Sequence, residues 1–391
     1  MQPRQPRPTP EIFYRRRRIA AAVLIVGAVL FAAGIGAGAQ WLTGCSEEDW
    51  AAHTSVREPA DYAPTSAVAI TETQTAPLAA EPQARVPEHD RPLYNPPAPG
   101  QTREVTINSG GVERKMLVVV PAGAVPAHNQ AGKPTPLILS FHGYHETPES
   151  MSRYTGFEGD GAIVVYPRGL GESWEGAPYS KAKDGQDVQF TKDILDAMSS
   201  TYSVDVHRIY AAGMSNGGGF AAKLACEIPE QFTAIAAVAG AYYPGTWRGC
   251  SEQKSQPAGA ANVSFAPGPS VPFLEIHGRK DDTIGYDGGT RHGTPYLGAM
   301  QFSSLYAGRS GCFGAPITTR VTDKILRVQW PSCYGNGEVT HLAIADAGHT
   351  WPGETTGEAG VTSKDSFAKR RSNAVTATSE ITAFFDRHQS A

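Results

Sequence analysis

No C-x-x-C pair and no local cluster of histidine and cysteine occurs anywhere in the 391 residues, which makes structural zinc the weaker reading of the cysteines. Internal repeats are also missing, so solenoids and propellers drop out. Charge is scarce at 18 %, and it is uneven. Residues 1–45 hold six basic residues and one acid, leaving 28 basic and 37 acidic residues behind them. A body of net negative sign lacks the basic surface that binds nucleic acid by phosphate neutralisation. Nothing in the composition calls for a cofactor or a metal.

What is present begins with a membrane address. Arg15 to Arg18 form a basic block, followed by 21 uncharged residues from Ile19 to Ala39. At about 1.5 Å per residue, such a run crosses a hydrocarbon core of about 30 Å, with the arginines on the cytoplasmic side. Three outcomes compete. Leu42-Thr-Gly-Cys45 resembles a lipobox, which would place a lipid on Cys45. Ala37-Gly-Ala39 fits a signal-peptide cleavage site. An uncleaved segment would stay as an anchor. Each puts the body outside the cytoplasmic membrane, anchored in the envelope or secreted. The remaining cysteines, Cys226, Cys250, Cys312 and Cys333, are even in number, as expected of two disulfides in an exported protein. Pairing Cys226 with Cys250 and Cys312 with Cys333 closes the shortest loops.

The organisation expected is a signal or anchor segment over 1–45, a flexible stalk over 46–100 and a catalytic domain over 101–391. The stalk is rich in Ala, Pro, Thr and Glu with no sustained period of 2 or 3.6, and such composition buries too little to offset its ordering entropy. From about Thr102 the texture changes. Glu104–Ile107 and Val112–Val120 alternate like an antiparallel pair. Short apolar runs then follow at 137–141, 163–166, 209–212, 234–239, 273–276 and 341–345, each closed by a turn signal. They read as buried strands of a mostly parallel sheet. Helical patterns over 187–200, 217–227 and 379–388 complete an α/β fold, a sheet flanked by helices. Loops 172–186 and 244–271, rich in Gly, Pro, Trp and Tyr, break the alternation and are expected to shape a pocket beyond the strand ends.

The stretch "IYAAGMSNGGGF" places Gly213, Ser215 and Gly217 in G-x-S-x-G after a strand and before a helix. That context suits a nucleophile on a strained turn, where small neighbours are required. A serine hydroxyl needs a base, and the base an orienting acid, in the chain order Ser, Asp, His. His349 in "ADAGHTWPGE" follows a strand and suits the base. "VPFLEIHGRKDDTIGY" offers Asp281 or Asp282 as the acid. Oxyanion donors would be the N–H of Asn216 and that of Tyr144 or Gly143 in "LILSFHGYHE". His142 reads as a turn-stabilising histidine.

As a set, "SFHGY", "SWEGAPY", "VDVHRIYAAGMSNGG", "LEIHGRKDDTIGY" and "AGHTWPG" resemble the polyhydroxybutyrate depolymerase/feruloyl esterase family. That family lies in the carbohydrate-esterase branch of the α/β-hydrolase superfamily. The resemblance spans about 102–388. It implies an α/β-hydrolase fold with Ser215 as nucleophile, His349 as base, Asp281 as acid, and Tyr144 and Asn216 at the oxyanion. Trp174 and Trp351 are expected to border the pocket. Arg279-Lys280 and Gly285 depart from the family's usual acid loop. The implied activity is hydrolysis of carboxylic esters, with feruloyl, acetyl or short 3-hydroxyacyl groups on a small molecule, a decorated polysaccharide or a polyester oligomer. An envelope acyltransferase using the same acyl-enzyme, or a non-catalytic surface protein on this fold, is the alternative.

Overall fold

The computed structural model describes residues 92–129, 132–252, 263–335, 337–356, 359 and 371–389. The expected leader, Cys45 and most of the stalk fall on residues 1–91 and lie outside the described residues. Among the described residues no helix is long and apolar enough to cross a membrane. Residues 92–100, expected from sequence to belong to the stalk, lie against the body that follows. Leu93 is buried and donates its N–H to Thr201 Oγ1 (2.8 Å), and the Tyr202 hydroxyl donates to the Pro97 carbonyl (2.6 Å).

Ten strands form the main sheet: β1 (Thr102–Ser109), β2 (Val112–Val119), β3 (Thr135–Phe141), β4 (Ile163–Pro167), β5 (Val204–Met214), β6 (Ala234–Val238), β7 (Phe273–Gly278), β10 (Ile317–Arg320), β11 (Ile325–Trp330) and β12 (Val339–Ile344). A separate hairpin holds β8 (Gly288–Arg291) and β9 (Thr294–Leu297). The sheet order is β1-β2-β4-β3-β5-β6-β7-β12-β11-β10. From β4 to β12 the neighbours run parallel, and the pairs at either edge are antiparallel. This is the α/β-hydrolase arrangement. The central strands are buried along their whole length in β4, β6, β7 and β12 because helices cover both faces.

Alternation along each strand sorts side chains between two cores. Ile235, Ala237 and Phe273 join the cluster under α2 (Gln186–Thr201), α3 (Asn216–Glu227) and α4 (Ala299–Arg309). Ala234, Ala236, Leu274 and Ile276 join the cluster under α1 (Pro148–Thr155) and α5 (Ala377–Arg387). Among the described residues, four strands and three α-helices escaped the sequence reading, the shortest being Pro244–Trp247 inside the expected loop 244–271. β8 and β10 are almost wholly exposed, so no apolar run marks them. α1 is only eight residues long and opens with a Thr147 capping box and Pro148.

Both expected disulfides are present. Cys226, near the end of α3, bonds Cys250 across a separation of 24 residues, and Cys312 bonds Cys333 across 21. Loops of that length restrict the unfolded chain by about 3 kcal/mol each. Replacing Cys226 and Cys250 together by alanine should therefore lower the unfolding free energy by about 3 kcal/mol in a denaturant titration. A loss below about 1 kcal/mol would show that the link adds little.

Candidate active site

A tight strand-to-helix turn carries Ser215. β5 ends at Met214, α3 begins at Asn216, and Ser215 between them holds φ 56° and ψ −117°. Such a backbone costs about 1–3 kcal/mol in a non-glycine residue and survives only when its surroundings over-determine it. Here they do. Ser215 N–H donates to the Val238 carbonyl (2.9 Å), and its carbonyl accepts from Gly219 (2.9 Å) and Ala241 (3.0 Å). At Gly217 a Cβ would strike the Phe141 and His142 carbonyls, so only glycine lets α3 approach the end of β3.

His349 bridges the other two residues. Its Nε2 lies 2.8 Å from Ser215 Oγ and its Nδ1 2.7 Å from Asp281 Oδ2. A carboxylate only accepts, so Nδ1 carries the proton and Nε2 is left to accept from the serine hydroxyl. Asp281 Oδ1 accepts from Thr283 N (2.9 Å) and Ile284 N (2.8 Å), which fixes the carboxylate plane. Burial opposes its charge, yet neighbouring His349 and His277 hold the carboxyl well below the usual carboxylate range. Asp282 is exposed, so of the two adjacent aspartates the geometry selects Asp281. Gly278, at the end of β7, lets that strand touch the Ala347 and Gly348 carbonyls, which brings the acid loop against the histidine loop.

The loop after β3 carries the oxyanion candidates. Gly143 N–H is taken by Glu146 Oε2 (2.9 Å), itself held by the Tyr154 hydroxyl (2.8 Å). Of the two alternatives there, the Gly143 N–H is thus already engaged. Asn216 is the first helical residue, and an N–H at that position has no intrahelical acceptor. His142 acts on the turn. Its Nε2 accepts from Gly169 N (3.0 Å) and its Nδ1 faces the Gly143 carbonyl (2.7 Å), which fixes a neutral tautomer. Burial pushes its pKa down to about 4.

Neither tryptophan borders the cavity, contrary to expectation. Trp174 is fully buried between Phe141 and Phe220, with ring centroids 5.1 and 5.2 Å away. Its indole N–H donates to the His142 carbonyl (2.9 Å), and its backbone exchanges hydrogen bonds with the Asn216 amide (2.7 and 3.2 Å). It thus ties the oxyanion loop to the nucleophile turn from below. Trp351 packs on Tyr154 and Phe157 and donates to Thr378 Oγ1 (3.0 Å), anchoring the His349 loop into the core. Large apolar side chains two or more positions from a reactive residue fall as readily into the core as into the pocket, which sequence does not distinguish.

A cavity of about 210 Å³ opens at Ser215 and His349. Tyr144, Tyr179, Tyr243, Ile284, Arg291 and His292 wall it. The Tyr144 and Tyr179 rings lie 4.1 Å apart, and His292 meets Tyr179 edge-on at 4.7 Å. The tyrosine of loop 172–186 thus does reach the pocket, while Arg291 and His292 arrive on the hairpin that the sequence did not reveal. A larger concavity of about 380 Å³, between residues 229–233 and Arg387, sits at the opposite ends of the strands without a nucleophile–base pair. Among the described residues no cluster of three His, Cys, Asp or Glu side chains could hold a metal ion.

Comparison with known proteins finds esterases. The chain is 25 % identical over 307 residues to "Putative esterase NocK" of Nocardia uniformis subsp. tsuyamanensis, covering 68 % of this chain and 85 % of that protein. Feruloyl esterase B of Piromyces equi is 28 % identical over 60 % of this chain. The protein is a homologue of serine esterases. More broadly, it is related to carboxylic-ester hydrolases of the feruloyl and acetyl esterase kind, on the α/β-hydrolase fold. Residues 150–292 also match the prolyl oligopeptidase family. The chain spans only 42 % of the length of the Piromyces enzyme. Among solved structures, an acetyl xylan esterase from Aspergillus awamori aligns with 64 % of this chain and 94 % of its own, at 15 % identity and a TM-score of 0.45.

The buried neutral His142 makes stability depend on pH. Its folded pKa of about 4 lies below the unfolded value of about 6.5, so the folded state binds fewer protons between them. Its contribution is therefore full above about pH 6.5 and is lost as pH falls through about 4. The unfolding free energy of the native protein should fall from pH 8 to pH 4 by up to about 3 kcal/mol more than that of His142→Gln. Parallel profiles would contradict a neutral His142.

Proposed function

We propose that the protein is an extracytoplasmic serine esterase that works through an acyl-enzyme on Ser215. The observation that carries the reading is the single imidazole of His349 bonded to Ser215 on one side and Asp281 on the other. His349 Nε2 takes the hydroxyl proton as Ser215 Oγ attacks the ester carbonyl. Asp281 stabilises the resulting imidazolium without taking its proton. The N–H groups of Asn216 and Tyr144 hold the oxyanion. His349 then gives its proton to the departing alcohol. In the second half it takes a proton from water, whose oxygen attacks the acyl carbon, and the acid leaves as Ser215 recovers its hydrogen.

The substrate is an ester with a small or planar acyl group. Support comes from the size of the cavity, about 210 Å³, and from its tyrosine walls, which suit acetyl and feruloyl groups better than long chains. The names of two relatives point the same way, Feruloyl esterase B of Piromyces equi and a bifunctional acetylxylan esterase/xylanase of Neocallimastix patriciarum, although the chain spans only 22 % of the latter. Short 3-hydroxyacyl esters, and with them the polyhydroxybutyrate depolymerase branch, rest on the sequence motifs. Location outside the cytoplasm is supported by the two disulfides, which persist in oxidising compartments. Attachment through Cys45 or the segment before it follows from the sequence of the leader.

Ser215→Ala should lower turnover of p-nitrophenyl acetate by about 10⁴-fold or more while far-UV circular dichroism stays unchanged. Retained activity would remove Ser215 from the mechanism. Across an ester panel, p-nitrophenyl acetate and methyl ferulate should be hydrolysed far faster than p-nitrophenyl palmitate. Equal rates would contradict the small acyl site, and release of acyl-trehalose in place of free acid would mark a transferase.

A further inference from the structure

Behind Asp281, β7 carries two ionisable side chains on an apolar face. Glu275 and His277 alternate with Leu274 and Ile276 and share the side of Phe273. Both are buried, at 0 % and 1 % exposure. Placing charges there costs several kcal/mol unless each is paired and hydrogen-bonded, so the partners are informative. His277 Nδ1 lies 2.8 Å from Glu275 Oε1. Its Nε2 lies 2.9 Å from the Ile284 carbonyl and 3.4 Å from Asp281 Oδ2, the same oxygen that meets His349.

A carbonyl only accepts. Glu275 accepts the Tyr242 hydroxyl on Oε2 and the Gly240 N–H on Oε1 at 3.4 Å; burial raises its carboxyl, while His277 and these donors favour the carboxylate. With acceptors at both ring nitrogens, His277 carries a proton on each. Burial works against that charge, but the hydrogen bonds to Asp281 and Glu275 outweigh it and hold the group up at about 10. The other groups facing it are Tyr286, with ring centroids 5.9 Å away, and His341 on β12. His341 is bonded to the Tyr286 hydroxyl (2.9 Å) and is pushed down to about 3 by burial and by the charge on His277, so it adds no second cation.

We propose that His277 is a standing imidazolium that positions Asp281 and tempers the basicity of His349. It is a positioning residue and touches no reacting atom. The inference rests on the Ser215–His349–Asp281 reading and extends it to a five-member chain, with Glu275 holding His277 in turn. Physically, a cation at 3.4 Å from Asp281 Oδ2 offsets part of the carboxylate's pull on a proton at His349. With His277 present, the acidic limb of activity therefore lies at lower pH than it would without that charge. The Ile284 carbonyl and the Asp281 carboxylate both engage one ring edge, so the same imidazolium also fixes the turn that presents Asp281.

The pH dependence of kcat/KM separates this from a merely structural role. In His277→Gln the acidic limb should move up by about one pH unit. The double variant Glu275→Gln/His277→Gln, which leaves no lone buried charge, should shift the same way by less. A folded, active variant whose limb stays in place would overturn the proposal, whatever its thermal stability. Should both variants fail to fold, nitrogen NMR of histidine in the native protein decides. Both His277 ring nitrogens should remain protonated from pH 5 to about pH 8.5, and a neutral ring at pH 8 would overturn the proposal. If the native protein itself lacked esterase activity, the triad reading would fail, and the NMR result would still report on His277 independently.

Discussion

Everything around the site serves one contact, the imidazole of His349 between Ser215 Oγ and Asp281 Oδ2 at 2.8 and 2.7 Å. The three residues are separated by long stretches of chain, and they meet because β5, β7 and β12 end on the same edge of a mostly parallel sheet. A parallel sheet aligns strand ends, and ligands gather beyond the carboxyl ends. That alignment brings the groups near one another. Hydrogen-bonding distance takes further devices: a left-handed serine at the end of β5, a close approach at Gly278, and a tryptophan holding each flanking loop.

These devices are made mostly of buried polar bonds. Trp174 and the Asn216 amide lock the segment after β4 to the nucleophile turn. Deeper on the same side, Asp187 accepts from Arg114 (2.7 Å) and from Glu175 N (2.8 Å), while Glu175 accepts from Asp187 N (2.7 Å) and meets Lys223 on α3 at 3.6 Å. Such groups are costly to strip of one partner. They fix loop geometry more than they add stability, and the loops they fix carry the tyrosine wall of the cavity. On the far side of Asp281 the same logic produces the Glu275–His277 pair. The site is thus bounded below by buried polar pairs and above by aromatic rings.

The sequence made the nucleophile, base and oxyanion candidates legible because each follows an apolar run and sits beside glycine. It left Asp281 and Asp282 equivalent until a resemblance and then a distance separated them. Trp174 and Trp351 were misplaced, because a large ring near a reactive residue carries no sign of which way it points. Arg291 and His292 went unseen, since their hairpin is short and exposed and lacks an apolar period. Glu275 and His277 carry a visible signal: two ionisable residues inside a strand otherwise apolar. A charge in such a strand demands a partner, and that demand is readable before any coordinate is known.

On the proposed function, Ser215 is a nucleophile made reactive by its neighbours in the folded protein. Labelling with a fluorophosphonate probe followed by peptide mass spectrometry tests it most directly. A single covalent adduct is expected on Ser215, formed by the native protein and abolished by His349→Ala or by denaturation before labelling. Absence of any adduct on the folded native protein, or an adduct on a different serine, would contradict the claim.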